Sequence, residues 1–171
     1  MAADLPGWDH SRNVFGGIAI DTPVEGKLYH FTQLFLSREL WGVDAFAVNA
    51  TQCRQFTEGR SNGFIASVYV ERVFAETLSN YLKFAQQFLH LAAPLQMEAG
   101  LTGIKGYPIA IENSMPGRFL QDTIQWTGTI PSYDIPVPDI LRPFFDYIWA
   151  KCGLVRPNRF QEVLARQFSR S

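Results

Sequence analysis

The chain has 171 residues, 47% of them hydrophobic and 14% aromatic but only 18% charged. That is one domain's length, and the composition excludes intrinsic disorder. Two cysteines are too few for a disulfide framework, and no apolar run approaches the roughly 18 residues of a membrane span. A formal net charge of −1 provides no general attraction to nucleic acid.

Residues 1–12 (MAADLPGWDHSR) carry acids and no apolar core, so they read as a loose lead-in and not as a secretory signal. A single domain is expected over 13–155, and a basic segment over 156–171. Val14 to Ile20 is short, apolar and β-branched, which predicts a strand, with Asp21-Thr22-Pro23 as the turn after it. Lys27 to Leu36 (KLYHFTQLFL) predicts a second strand, with Tyr29, Phe31, Gln33 and Phe35 on one face. Ser37-Arg38 permits a reversal, and Leu40 to Val48 returns as the partner strand of a hairpin. Asn49 to Gly63 is polar and glycine-bearing, the pattern of an exposed loop.

Apolar residues from Val70 to Ala92 recur at three and four, which predicts a helix over 65–93 ending at Pro94. The polar face of that helix is expected to hold Glu71, Arg72, Glu76 and Lys83. Gly100 to Ile111 reads as one strand, bent or bulged at its glycines. Phe119 to Trp126 predicts another. Asp139 is placed to cap a helix over 140–152, with Pro143 tolerated in its first turn and Gly153 at the position that closes it. Asn158 to Phe168 predicts a short last helix. The fold class that follows is α+β: a mostly antiparallel sheet from 14–48 and 101–130, packed by one long helix, with a second helix and a short C-terminal one.

Chemistry-bearing patterns are sparse. His10, His30 and His90 share no ligand spacing with one another or with cysteine, and the three glycines at 100, 103 and 106 match no phosphate-binding loop. Cys53 beside Arg54 is the one conceivable nucleophile, but no base can be placed near it from the sequence. Asp21, Asp44, Glu112 and Asp122 fall at expected strand ends, where carboxylates serve as loop caps. No catalytic, cofactor-binding or metal residue is assigned. Both cysteines are read as reduced, which points to the cytoplasm. The C-terminal 21 residues hold Lys151, Arg156, Arg159, Arg166 and Arg170 against Glu162, a net +4, while the rest carries ten cations and fifteen anions, a net −5. This is the pattern of a solvated tail, or of an arm contacting phosphate or an acidic partner.

Low charge with abundant aromatics suggests that part of the surface meets a partner. Tyr29, Phe35 and Trp41, from the predicted hairpin, are the residues expected to contact a protein or a second copy of the chain. Taken in order, YHFTQLFLSRELWGVDAF (29–46), VYVERVFAETLSNYLKFAQQF (68–88), LTGIKGYPIAI (101–111) and DILRPFFDYIWAKCGLVRPNRF (139–160) resemble the C-terminal region of bacterial Schlafen/AlbA-type proteins. In that family the nucleotide or nucleic-acid chemistry is ascribed to an N-terminal domain to which nothing here corresponds. The resemblance therefore implies a non-enzymatic accessory domain for association or assembly. A ligand-sensing domain with an apolar pocket between sheet and helix, or nucleic-acid binding through Arg156, Arg159, Arg166 and Arg170, are the alternatives.

Overall fold

The computed structural model describes residues 9–12, 18–24, 27–45, 64–111 and 114–168; up to Tyr29, and at Ser114 and Met115, only the backbone is described. The fold is α+β. It opens with an antiparallel meander whose spatial order is its chain order: β1 (Asp9–Arg12), β2 (Ile18–Val24), β3 (Lys27–Leu34) and β4 (Leu40–Asp44). Two expectations are corrected here. Asp9–Arg12 are not a loose lead-in but pair with Ile18–Asp21. Asp21-Thr22-Pro23 do not turn the chain. They lie inside β2, where the register shifts between Asp21 and Pro23, and the reversal falls between Val24 and its partner Lys27. A proline is tolerated in a strand at such an irregularity, because the ladder there does not need its missing N–H.

β5 (Ile65–Ala66) pairs in parallel with β7 (Pro108–Ile111), and the long helix α1 (Ser67–Gln87) leaves directly from it. The helix thus starts two residues later than its periodicity suggests, since Ile65 and Ala66 are held by Ile109 and Ala110. The Ser67 hydroxyl donates to Ala110 O at 2.7 Å and fixes that junction. The helix also ends well before Pro94. Leu91 N–H bonds Ala85 O at 3.0 Å, and His90 takes a left-handed φ of 50°. The exit is imposed by β6 (Leu95–Thr102), whose first residue pairs with Ile130.

The glycine-bearing stretch expected to form one bent strand is two strands, β6 and β7, separated by a turn at Gly103–Tyr107. β8 (Ser114–Arg118) pairs with β7, and β9 (Thr123–Ile130) pairs with β6 over eight residues. Residues 95–130 are thus one long hairpin, bent where Ile104 N–H bonds Asp122 O and Gly106 N–H bonds Phe119 O. The single sheet expected from 14–48 and 101–130 is instead three, because this bend and the separate meander interrupt the pairing.

α2 (Val137–Lys151) begins at Pro136, not at Asp139: Asp139 N–H and Ile140 N–H both bond Pro136 O, and no side chain caps the end. Pro138 sits in the first turn, where a missing N–H costs nothing. The earlier start moves Pro143 into the second turn, with its ring on the exposed side. At the other end Gly153 has φ 73°, its N–H bonds Ala150 O and Leu154 N–H bonds Trp149 O. These two bonds make a Schellman closure. Gly153→Ala is expected to cost about 1 kcal/mol, the penalty for a Cβ in the left-handed region. Gly153→Asn should cost less, and urea denaturation of the two variants measures the difference.

α3 (Asn158–Phe168) completes the fold and buries Phe160 and Leu164. The core joins α1, α2, α3, β5–β7 and β9 around Trp149, Phe144, Phe145, Phe119, Leu141 and Ile109. Between His30 and Ala45 no residue is fully buried. Over His30–Ala45 the meander is attached to the core, not part of it. Among the described residues no helix is long and apolar enough to cross a membrane.

Candidate functional site

The β3–β4 hairpin has two unlike faces. Its turn is closed by Arg38 N–H to Phe35 O and Phe35 N–H to Glu39 O, both 3.0 Å, with Arg38 at φ 69°. The register sets Thr32 opposite Gly42 and His30 opposite Asp44, and both pairs point toward α1. The Tyr81 hydroxyl donates to Trp41 O at 2.9 Å and, having one proton, accepts from Thr32 Oγ1 at 3.0 Å. Burial raises the Tyr81 pKa, which keeps this hydroxyl a donor, although the Thr32 bond opposes the shift. A Cβ at Gly42 would collide with the same hydroxyl, so any larger residue there would displace Tyr81 from these two bonds.

The second attachment is at Asp44. Its Oδ2 lies 3.3 Å from the Tyr69 hydroxyl and 3.3 Å from His30 Nδ1. Tyr69 is pushed up to about 12, first by burial and then by the Asp44 charge, so it remains protonated and donating through the whole neutral range. The face toward α1 is thus held by polar groups with defined partners.

The other face is mostly apolar, with Gln33 its polar member. Phe31 lies opposite Val43 and Gln33 opposite Trp41. The Phe35 and Trp41 rings meet edge to face, 5.4 Å apart at 63°. Trp41 is 56% exposed, Val43 46%, and Leu36, in the turn, 77%. Among the described residues the polar contacts to α1 occupy one side of the hairpin, and Trp41 and Val43 are exposed on the other. Of the three residues expected to contact a partner, Phe35 and Trp41 are brought into contact. Tyr29 lies in β3, with its side chain outside the described residues.

The basic C-terminal segment is placed differently from expectation. Arg156 is not at the surface: its side chain is 3% exposed and pairs with Glu71, 5% exposed. Nε donates to Glu71 Oε1 at 2.9 Å and Nη2 to Oε2 at 2.7 Å, a bidentate pair. Trp149 Nε1 adds a bond to Oε1 at 3.0 Å, and Arg156 Nη1 reaches Gln161 Oε1 at 2.8 Å. The guanidinium also lies 5.1 Å from the Phe145 ring centroid. Arg156 is therefore committed to an internal anion and is removed from the phosphate-contacting set. Arg159 and Arg166 are exposed on α3, Arg166 3.8 Å from Glu162, and Arg170 lies outside the described residues.

Glu71 was expected on the solvent face of the helix. It sits on the flank of the apolar stripe, next to Val70, and only a partner far along the chain brings it inside. The one cue in the sequence was that Glu71 directly follows a stripe position.

One cavity lies between β7, α1 and α2. Lined by Ile65, Val70, Ile109, Phe145, Ile148 and Trp149 among others, it measures about 10 Å³, at the lower limit for one water. Cys152 is buried and its thiol is pushed up to about 12 by that burial, so it is protonated and unreactive at neutral pH. Cys53 and the loop 49–63 lie outside the described residues. Among the described residues no group of three His, Cys, Asp or Glu converges as metal ligands do.

Comparison of the chain with protein-family models, with curated proteins and with solved structures finds no match.

Proposed function

We propose that this chain is a non-enzymatic association domain that docks a partner protein on the outward face of the β3–β4 hairpin. The observation that carries this reading is the exposed Trp41, packed edge to face on Phe35 beside Val43 and Leu36, on a strand pair whose other face is fixed by Tyr81 and Tyr69. A large, rigid, half-exposed aromatic on a held backbone is the typical anchor of a protein interface, because little conformational entropy is lost when it is covered. The patch carries no charge, so the partner it fits offers an apolar pocket with a polar rim. The two attached polar clusters act as supports of the hairpin. The resemblance to the C-terminal region of Schlafen/AlbA-type proteins points toward the same accessory role.

A photocrosslinking benzophenone in place of Trp41 tests this in the native cell. A discrete adduct of one defined mass is expected from position 41 and none from the exposed helix position Gln86. An adduct of twice the chain mass identifies a second copy as the partner, and any other single mass a different protein. Its yield should fall several-fold when Leu36 and Val43 are changed to Ser. No adduct at position 41, or the same adducts at both positions, would overturn the reading. Trp41→Ser itself should lower stability by about 1 kcal/mol, the worth of its edge-to-face pair with Phe35.

A further inference from the structure

We propose that the open edge of β9 pairs antiparallel with β9 of a second copy of this chain, joining two β6–β9 hairpins into one four-stranded sheet. In the β6–β9 pair every position from Leu95–Ile130 to Thr102–Thr123 is in register, so β9 is regular along its whole length. One face is packed on α2, with Ile124 and Ile130 buried and Trp126 5.9 Å from Phe144. The other face is an exposed ladder. Thr102 and Thr123 are bonded at 2.9 Å, Thr129 donates to Gln96 at 3.3 Å, and Gln125 donates to Glu98.

A strand with one neighbour leaves half of its backbone N–H and C=O groups pointing away from that neighbour. Among the described residues none outside β6 makes a backbone hydrogen bond to β9. Eight residues make about 26 Å of such edge. Edges of this length are normally blunted by a lysine, a proline, a bulge or a covering element. β9 (TIQWTGTI) has no charge, no proline and no bulge. The outer edge of β6 differs, because β6 carries Glu98, and β8 carries Pro116.

The uncharged strand selects a copy of itself as occupant. Antiparallel self-pairing repeats every contact about a twofold axis, so a charge in the strand would meet its own like. β9 brings none. The pairing must also keep the buried face on one side, which restricts the register, since a one-residue slip would turn Ile124 to solvent. With Thr127 opposite Thr127, Ile124 meets Ile130 and Trp126 meets Gly128, a glycine already covered by the Trp126 ring of its own strand. The Thr/Gln ladder then continues unbroken across both copies.

Thr127 is exposed, so charged variants there test the contact without disturbing the core. Sedimentation velocity of the full chain at low salt, over a wide concentration range, should show a dimer. Thr127→Lys and Thr127→Glu should each weaken it about fivefold or more, from like charges directly opposed across the strands. An equimolar mixture of the two variants should recover a dimer, because the opposed charges then attract. A chain that stays monomeric up to millimolar concentration would overturn the proposal. So would variants that dimerise as tightly as the parent, or a mixture no tighter than either variant alone. Loss of the dimer in Trp41→Ser with no effect of Thr127→Lys would assign self-association to the hairpin instead. The hairpin reading and the β9 reading therefore fail separately.

Discussion

Glu71→Ala is expected to lower the unfolding free energy by about 3–5 kcal/mol, the cost of leaving a buried charge without its partner. In a chain of this length that is a fall in Tm of roughly 6–20 °C. The cause is specific to the site. Glu71 accepts three hydrogen bonds, two from Arg156 and one from Trp149. Removing it leaves the guanidinium inside the protein with Gln161 as its one polar side-chain contact among the described residues. The same three residues tie α1 to α2 and to the segment before α3, so the loss should loosen the C-terminal helix first. Hydrogen exchange in 158–168 is expected to rise more than in 137–151. Glu71→Met combined with Arg156→Met should be less destabilised than either single change, because an apolar pair of similar volume carries no desolvation cost. Thermal unfolding of the four proteins forms the required cycle. A double variant that loses as much as the two single variants together would show that the pair acts independently and that this account of the site is wrong.

Phe144→Ala should cost about 3–5 kcal/mol by a different route, the loss of buried apolar surface plus the cavity left behind. Phe144 is fully buried and touches three other rings: Phe74 at 4.8 Å, Phe145 at 5.6 Å and Trp126 at 5.9 Å between centroids. These rings belong to α1, α2 and β9, so the surroundings are fixed from three sides and cannot collapse into the space. Phe144→Leu, which keeps most of the volume, should cost markedly less. Denaturant midpoints at unchanged slope measure both. An alanine variant within 1 kcal/mol of the parent would mean that the three elements close over the site.

The hairpin 27–44, the long helix, the helix that Gly153 closes and the last helix from Asn158 were all legible in the sequence. Each is set by local causes: a run of strand-forming residues over Lys27–Leu34 with apolar groups on both faces, a recurrence at three and four from Val70, a glycine free to take φ 73°, and a short amphipathic run. So was the pairing of Phe35 and Trp41 on one hairpin, since strand parity and a two-strand reversal determine it. Boundaries were legible only in part. α1 begins at Ser67 because β7 holds Ile65 and Ala66, and it ends at Gln87 because Leu95 must reach Ile130, and both constraints come from residues far along the chain.

Tertiary structure alone decided the division into three sheets, the pairing of β9 with β6 as its single neighbour among the described residues, and the location of Arg156. By its neighbours in sequence Arg156 opens a basic segment, yet it is drawn inward by Glu71, a carboxylate 85 positions earlier on the edge of an apolar stripe. Charge counting along the chain treats every cation as solvated, whereas an internal ion pair is a property of two distant residues and the apolar wall around them. The same reason separates the two sides of the hairpin. Strand parity shows that two faces exist, but only the approach of Tyr81 and Tyr69 decides which one is held to the helix and which one leaves Trp41 and Val43 exposed.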